Sequence, residues 1–129
     1  MRPLKVLIAD DHESFRRILL AFLNAHRNVE VVGMAVDGID AITLTDQLHP
    51  DIVLMDIHMP RQNGIEATKE IKSRWPSVKV FMLSMDPGEC YRLNAQMIAD
   101  GLIAKTSMKN ALTTMLTREH QLHLNSVAA

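Results

Sequence analysis

Apolar runs as long as a β-strand alternate five times with segments whose apolar residues recur at helical spacing. In the first run, residues 4–9, only Lys5 is polar, and strands apolar on both faces are typical of a parallel sheet that is covered on both sides. The repeated β-α order predicts an α/β fold with a five-stranded parallel sheet, helices on both faces and right-handed crossovers. The predicted strands are residues 4–9, 29–36, 52–55, 78–84 and 102–104.

Turn residues separate these strands from five segments of helical period. The fourth segment, residues 88–99, depends mainly on Leu93 and Met97, whereas the first carries a continuous apolar stripe. From residue 119 the chain becomes polar. We therefore predict a single domain over residues 1–118, followed by a tail or the start of a linker over residues 119–129.

The bulk properties of the 129-residue chain exclude several classes of function. Its net charge of −1 gives no overall field that would attract nucleic acid or an anionic membrane. The single cysteine cannot form an internal disulfide, and no apolar stretch approaches the roughly 20 residues that span a membrane. The N-terminus also lacks the pattern of a secretory signal. A cytoplasmic location without membrane contact is the expectation.

Polar residues follow four of the five predicted strands, at the point where each strand ends. In open parallel sheets the ligand site forms beyond the carboxyl ends of the strands, so we expect these side chains to converge. They comprise three acids, a hydroxyl and an ammonium: Asp10, Asp11, Asp56, Ser84 and Lys105.

Three carboxylates in one place repel one another, because two unit charges about 4 Å apart cost roughly 4 kcal/mol at an effective dielectric near 20. Lys105 supplies one compensating charge, and a hard divalent cation bound by oxygen ligands would supply more, which favours Mg²⁺. A carboxylate beside these cations is suited to attack phosphorus, and Asp56 is the candidate. The same cations would neutralise the transferring phosphoryl oxygens, and Ser84 is a candidate hydrogen-bond donor to them.

Each of these residues also has a simpler interpretation. Asp10 and Asp11 suit the N-terminus of a helix, where acids are common, while Asp56 and Lys105 are ordinary loop residue types. A loop-only account gives no reason why acids, hydroxyl and lysine should follow strands one, three, four and five, so the functional interpretation is favoured. A transition-metal site that includes the histidines at positions 12 and 58 is less favoured than a loop role for both.

These residues, with the stretch DIHMP at 56–60 and the pair Asn63-Gly64, resemble the receiver domain of bacterial two-component response regulators. The resemblance runs from residue 5 to about 116. The stretches ADDHESFRRIL and VEVVGMAVDGIDAI are similar to the NarL/FixJ-type subgroup, whose members carry a LuxR-type helix-turn-helix output domain. The resemblance implies a flavodoxin-like (βα)5 fold with strand order 2-1-3-4-5.

The resemblance also implies a chemistry. Asp56 would accept a phosphoryl group from a phosphohistidine of a sensor histidine kinase. Asp11, Asp56 and the backbone carbonyl of His58 would bind Mg²⁺, and Asp10 would act mainly through a bound water. Phosphotransfer and dephosphorylation would be self-catalysed, so the domain would be a signalling phosphoacceptor and not an enzyme.

In such a domain Lys105 would pair with the phosphoryl oxygens, and Ser84 would move toward them. The added charge would then change the surface formed by the fourth helix, the fifth strand and the fifth helix. That surface would control an output, which the resemblance implies to be transcription regulation. The implied partners are the kinase and a second copy of the chain in a homodimer. DNA would be contacted only through an output domain that is not present in this chain.

Three positions depart from the family's usual pattern. Leu102 stands where an aromatic residue is usual, and Arg61 and Ile98 stand where glycine is common. Asp86 and His58 lie where the family lines the approach of the attacking water, and we hypothesise that they tune the lifetime of the phosphate, in a direction left open.

Two alternatives follow from these residues. The first is a receiver-like protein-interaction domain that works independently of phosphorylation, an alternative that rests on Leu102 and Arg61 in place of the family's usual residues. The second is a phosphatase of the haloacid-dehalogenase type. That family needs a second acid two residues after its nucleophile, and this chain has His58 there.

Overall fold

The computed structural model describes residues 2–128. All strand pairings in its single sheet are parallel. The strands are β1 (Leu4–Ala9), β2 (Val29–Ala35), β3 (Ile52–Asp56), β4 (Lys79–Ser84) and β5 (Gly101–Ala104). Their order is β2-β1-β3-β4-β5, so the predicted topology is confirmed.

Five α-helices connect and cover the strands, together with two short 3₁₀ helices at Ala95–Met97 and Lys105–Ser107. The α-helices are α1 (Glu13–Asn24), α2 (Gly38–Leu48), α3 (Gly64–Arg74), α4 (Pro87–Arg92) and α5 (Met108–Ala128). Side chains of Asp37, Asn63 and Asp86 cap the N-termini of α2, α3 and α4 by accepting a backbone N–H of the first turn.

The core consists of two apolar layers, one on each face of the sheet. Successive residues of a strand point to opposite faces, so Leu7 enters one layer and Ile8 enters the other. Helices α2, α3 and α4 contribute to the first layer, and α1 and α5 contribute to the second. The prediction of helices on both faces is confirmed, and the carboxyl ends of the strands lie together at one edge.

Helix α4 is shorter than the predicted segment of residues 88–99. It ends at Arg92, and Asn94 adopts a left-handed backbone conformation with φ of 57°, which a right-handed helix cannot continue. Leu93 and Met97, the residues on which the prediction depended, are 45% and 76% exposed. The apolar spacing therefore did not correspond to a buried helix face.

The segment predicted as a tail continues α5 to Ala128. Glu119 is buried, and the imidazole Nε2 of His120 lies 2.8 Å from the backbone oxygen of Asn28, which holds this part of the helix against the domain. The domain boundary at residue 118 stays a prediction. Among residues 2–128, no helix combines the length and the apolar character needed to cross a membrane.

Candidate functional site

The ends of β1, β3 and β5 bring three of the predicted residues into contact. Asp10 follows β1, Asp56 is the last residue of β3, and Lys105 follows β5. The Nζ of Lys105 donates a hydrogen bond of 2.7 Å to Oδ2 of Asp10 and lies 3.5 Å from Oδ1 of Asp56. The expected convergence of acids and lysine is observed, and both carboxylates are buried.

Lys105 is held in place by a second contact besides the carboxylates. Its ammonium lies 4.3 Å from the centroid of the Phe15 ring, a cation-π geometry. Only 5% of its side chain is exposed. A buried ammonium with few alternative partners offsets the neighbouring carboxylates more strongly than an exposed one.

Four side chains form an acidic group that could hold a cation. Asp10, Asp11, His12 and Asp56 each offer one ligand atom, and these atoms lie within 4.8 Å of one another. Among the described residues, Oδ2 of Asp56 is buried without a hydrogen-bond partner. A buried acceptor of this kind is unfavourable unless a cation or a hydrogen-bond donor binds to it. Carboxylate oxygens are the ligands that Mg²⁺ prefers, so the residues fit this cation.

The ring of His12 lies among these acids, although a simple loop role had been favoured for it. Its Nδ1 is 3.2 Å from Oδ1 of both Asp10 and Asp11, and 3.6 Å from Oδ2 of Asp56. The residue does lie in the β1-α1 loop, where its backbone N–H donates to Oδ1 of Asp10. The signal for this placement in the sequence was that His12 directly follows the two acids after β1.

The surroundings of Asp56 make its charged form costly. Burial, and after it the negative charge of Asp10, raise the pKa of this carboxyl from the ordinary value of 3.8 to about 6, although Lys105 acts in the opposite direction. The backbone N–H of His58 also points to Oδ1, at 3.4 Å. The carboxylate is therefore ionised at neutral pH, yet poorly stabilised, which favours its combination with an electrophile or a cation.

Ser84 ends β4 at the same edge of the sheet, but its hydroxyl is engaged within the β4-α4 loop. It donates to the backbone oxygen of Asp86 at 2.8 Å and accepts from the backbone N–H of the same residue at 3.0 Å. A hydroxyl has a single hydrogen to donate, so a new bond donated by Ser84 toward Asp56 requires the bond to the backbone oxygen of Asp86 to be given up.

The sequence did not reveal several side-chain contacts around the site. The imidazole of His58 pairs with Glu89 of α4, and Asp86 pairs with Arg92 of the same helix at 3.0 Å. Leu102, in the usual aromatic position, is half-buried and packs against the core layer that contains α4. The His58–Glu89 pair joins residues from different loops and helices, and the Asp86–Arg92 pair spans six positions around the start of α4, so neither follows the i,i+4 spacing of a helix.

The strand order and the polar residues beyond the carboxyl ends define an α/β domain of the flavodoxin-like class. The sequence model of the response regulator receiver domain matches residues 6–117, and the chain belongs to this family. It is a receiver domain of a two-component response regulator, as the resemblance of its motifs indicated.

The relatives are consistent with the NarL/FixJ-type subgroup. The chain is 41% identical over 88 residues to the transcriptional regulatory protein DegU of Brevibacillus brevis, covering 68% of this chain and 37% of DegU. It is 37% identical over 120 residues to the response regulator protein VraR of Staphylococcus epidermidis, covering 92% of this chain and 57% of VraR. The chain thus spans about half the length, or less, of these curated relatives.

A solved structure agrees with both the fold and the subgroup. The two-component response regulator of the LuxR family from Aurantimonas sp. superposes with a TM-score of 0.78 at 26% identity. The match covers 89% of this chain and 86% of that chain.

Proposed function

We propose that Asp56 is the phosphoacceptor of this receiver domain and that its phosphoryl donor is a phosphohistidine on a sensor histidine kinase. A carboxylate oxygen of Asp56 would form a bond to phosphorus as the bond from phosphorus to the histidine nitrogen breaks, and the nitrogen would leave with the electron pair. The observation that carries the proposal is the buried Oδ2 of Asp56, which has no hydrogen-bond partner among the described residues and lies beside an ammonium and two further acids.

For the cation, the proposal takes the ligands that the resemblance implies, and the acidic group at this edge of the sheet supports it. Asp11, Asp56 and the backbone carbonyl of His58 would hold Mg²⁺, and Asp10 would act through a water. Bound there, Mg²⁺ would supply positive charge against the phosphoryl oxygens. Lys105, already fixed between Asp10 and Asp56, would supply the second positive charge without any reorganisation.

The response to the phosphoryl group would pass through Ser84. Its hydroxyl would give up the bond that it donates to the backbone oxygen of Asp86 and would donate to a phosphoryl oxygen instead. Because Asp86 caps α4, this exchange would loosen the start of that helix and alter the surface of α4, β5 and α5. Asp86 and His58 would also tune the lifetime of the phosphate.

The wider role follows from the relatives and is proposed on that ground. DegU is a transcriptional regulatory protein, so control of transcription is the proposed output, with DNA contacted through a separate output domain. The same role implies the cytoplasm as location, a kinase as partner and a homodimer as one regulated state. Phosphotransfer and hydrolysis would be self-catalysed.

The direct test is incubation with acetyl phosphate and Mg²⁺, followed by intact-mass measurement. We expect a phosphate-sized mass gain in the wild type that is absent from Asp56→Asn and from wild type in excess EDTA. Asp46→Asn, which changes an exposed acid on α2, is the matched control and should gain the same mass. A wild type that gains no mass under conditions in which it binds Mg²⁺ would instead favour the phosphorylation-independent interaction domain.

A further inference from the structure

The loop between β3 and α3, residues 57–63, is joined to the start of α2 by two contacts. The backbone N–H of Gly38 donates to the backbone oxygen of Gln62 at 2.9 Å. Next to it, Nε of Arg61 donates to Oδ2 of Asp37 at 2.7 Å, and Nη2 of Arg61 lies 2.7 Å from the same oxygen. Arg61 therefore connects this loop to a residue 24 positions away in the chain.

Arg61 makes this contact from a backbone conformation that favours glycine. Its φ of 64° lies in the left-handed region, which residues with a Cβ adopt at a cost. A glycine would meet the backbone requirement more easily but would have no guanidinium. The backbone conformation of Arg61 is therefore unfavourable, and the ion pair with Asp37 offsets this cost.

The partner of Arg61 is a carboxylate with little access to solvent. The Asp37 side chain is 7% exposed, and its other oxygen accepts the backbone N–H of Asp40 at 2.7 Å as the N-cap of α2. Burial raises the pKa of Asp37, but the backbone N–H of Asp40, followed by the hydrogen bond and charge of Arg61, holds that pKa below its ordinary value. The Arg61 side chain is 60% exposed, so only the carboxylate side of the pair is buried; an ionised carboxylate held this way depends on its hydrogen bonds and its cation.

The β3-α3 loop is tightly packed between these contacts and the acidic group. A Cβ on Gly38 would lie 2.0 Å from the backbone oxygen of Gln62, and one on Gly64 would lie 2.0 Å from the backbone oxygen of Asp56. The N–H of Gly64 also donates to the backbone oxygen of Ile57 at 3.1 Å, which closes the loop onto the end of β3. We therefore expect a shift at Arg61 to displace the backbone beside Asp56.

We propose that Arg61 is a positioning residue for cation binding: by its ion pair with Asp37 it fixes the β3-α3 loop, and with it the backbone of His58 and the carboxylate of Asp56. The inference rests on the proposed function, since it concerns the same cation. It adds a residue that touches neither the cation nor the phosphoryl group and acts through the shape of the loop.

The test compares Mg²⁺ binding by calorimetry in four variants. Arg61→Gly relieves the backbone and removes the pair, and Asp37→Asn removes the charge while keeping a good N-cap. Each should weaken Mg²⁺ binding by about 3- to 10-fold. Mutating a residue that hydrogen-bonds directly to a metal ligand typically weakens metal binding by about 10- to 100-fold, and Arg61 acts less directly. The double variant should lose no more than either single one, because both remove the same interaction. Arg61→Lys, which keeps the charge, should lie between wild type and Arg61→Gly.

A second readout needs neither Mg²⁺ nor activity. In the metal-free protein, the amides of Gly38 and Gly64 should exchange hydrogen faster in Arg61→Gly, while amides in the middle of β3 should not change. Arg74→Gln, which breaks an exposed ion pair with Glu70 at the other end of α3, is the control and should match wild type in both measurements.

The outcomes separate the two proposals. A wild type that binds Mg²⁺ and accepts phosphate, with an Arg61→Gly variant that binds Mg²⁺ equally well, would overturn the positioning role alone. Additive losses in the double variant would overturn the route through Asp37. A wild type that neither binds Mg²⁺ nor gains phosphate would overturn the proposed function, and this inference with it.

Discussion

Replacing Asp56 by asparagine is expected to stabilise the metal-free protein above pH 6. The carboxylate is buried, its Oδ2 has no hydrogen-bond partner among the described residues, and the charge of Asp10 opposes its own. Asparagine has nearly the same shape and no charge. The variant therefore removes an electrostatic cost and leaves the packing of β3 unchanged.

The magnitude follows from the pKa of Asp56, which is about 6 in the folded protein against an ordinary value of 3.8. Each tenfold change in an ionisation constant is worth about 1.4 kcal/mol, so ionising this group costs the folded state roughly 2 to 3 kcal/mol. The folded state binds the proton more tightly than the unfolded state, so stability falls as pH rises from about 4 to about 7 and then levels off. The asparagine variant lacks this fall.

The assay is urea unfolding followed by circular dichroism, from pH 4.5 to 8 in EDTA. The difference in unfolding free energy between Asp56→Asn and wild type should grow with pH and approach about 2 to 3 kcal/mol at pH 7.5. Other titrating groups cancel in this difference to a first approximation. Asp46→Asn, at an exposed acid, should show no such growth. Parallel stability curves for wild type and Asp56→Asn across this range would refute the reasoning.

Three further predictions concern the same edge of the sheet. Lys105→Met should destabilise the protein by about 3 kcal/mol at pH 7 in urea unfolding, because it leaves the buried Asp10 carboxylate without its cation; unchanged stability would contradict the pairing. Gly64→Ala should cost about 2 to 3 kcal/mol, since its Cβ would lie 2.0 Å from the backbone oxygen of Asp56, and a normal unfolding midpoint would count against this close approach. Free Mg²⁺ at 100 times its dissociation constant should stabilise the wild type by about 2.7 kcal/mol and Asp11→Asn by less, as measured by the shift in urea midpoint, and equal shifts would argue against Asp11 as a ligand.

Most of the fold and part of the site could be anticipated from local patterns. Continuous apolar runs, such as residues 4–9, and helical stripes depend on burial along one element, which the spacing of residues records directly. Once the strands are parallel, their carboxyl ends must meet at one edge. The convergence of Asp10, Asp56 and Lys105 then follows without knowledge of any side-chain conformation.

The spacing of Leu93 and Met97 did not anticipate where α4 ends, because the backbone turns left-handed at Asn94 and those side chains find no core to enter. The polar composition after residue 118 did not reveal that α5 continues to Ala128 or that His120 contacts the backbone oxygen of Asn28, 92 positions away. That contact depends on a distant part of the chain, so no local pattern records it.

The order of apolar and polar residues along this chain was enough to determine which residues form the sheet and which acids and lysine meet at its edge. How those groups are used depended on the packed molecule: the ring of His12 lies among the acids, the hydroxyl of Ser84 bonds to Asp86, and Arg61 reaches Asp37. The physical reason is that strand and helix periods are local properties, whereas the orphaned oxygen and raised pKa of Asp56 and the ion pairs of Lys105 and Arg61 depend on how distant segments pack together.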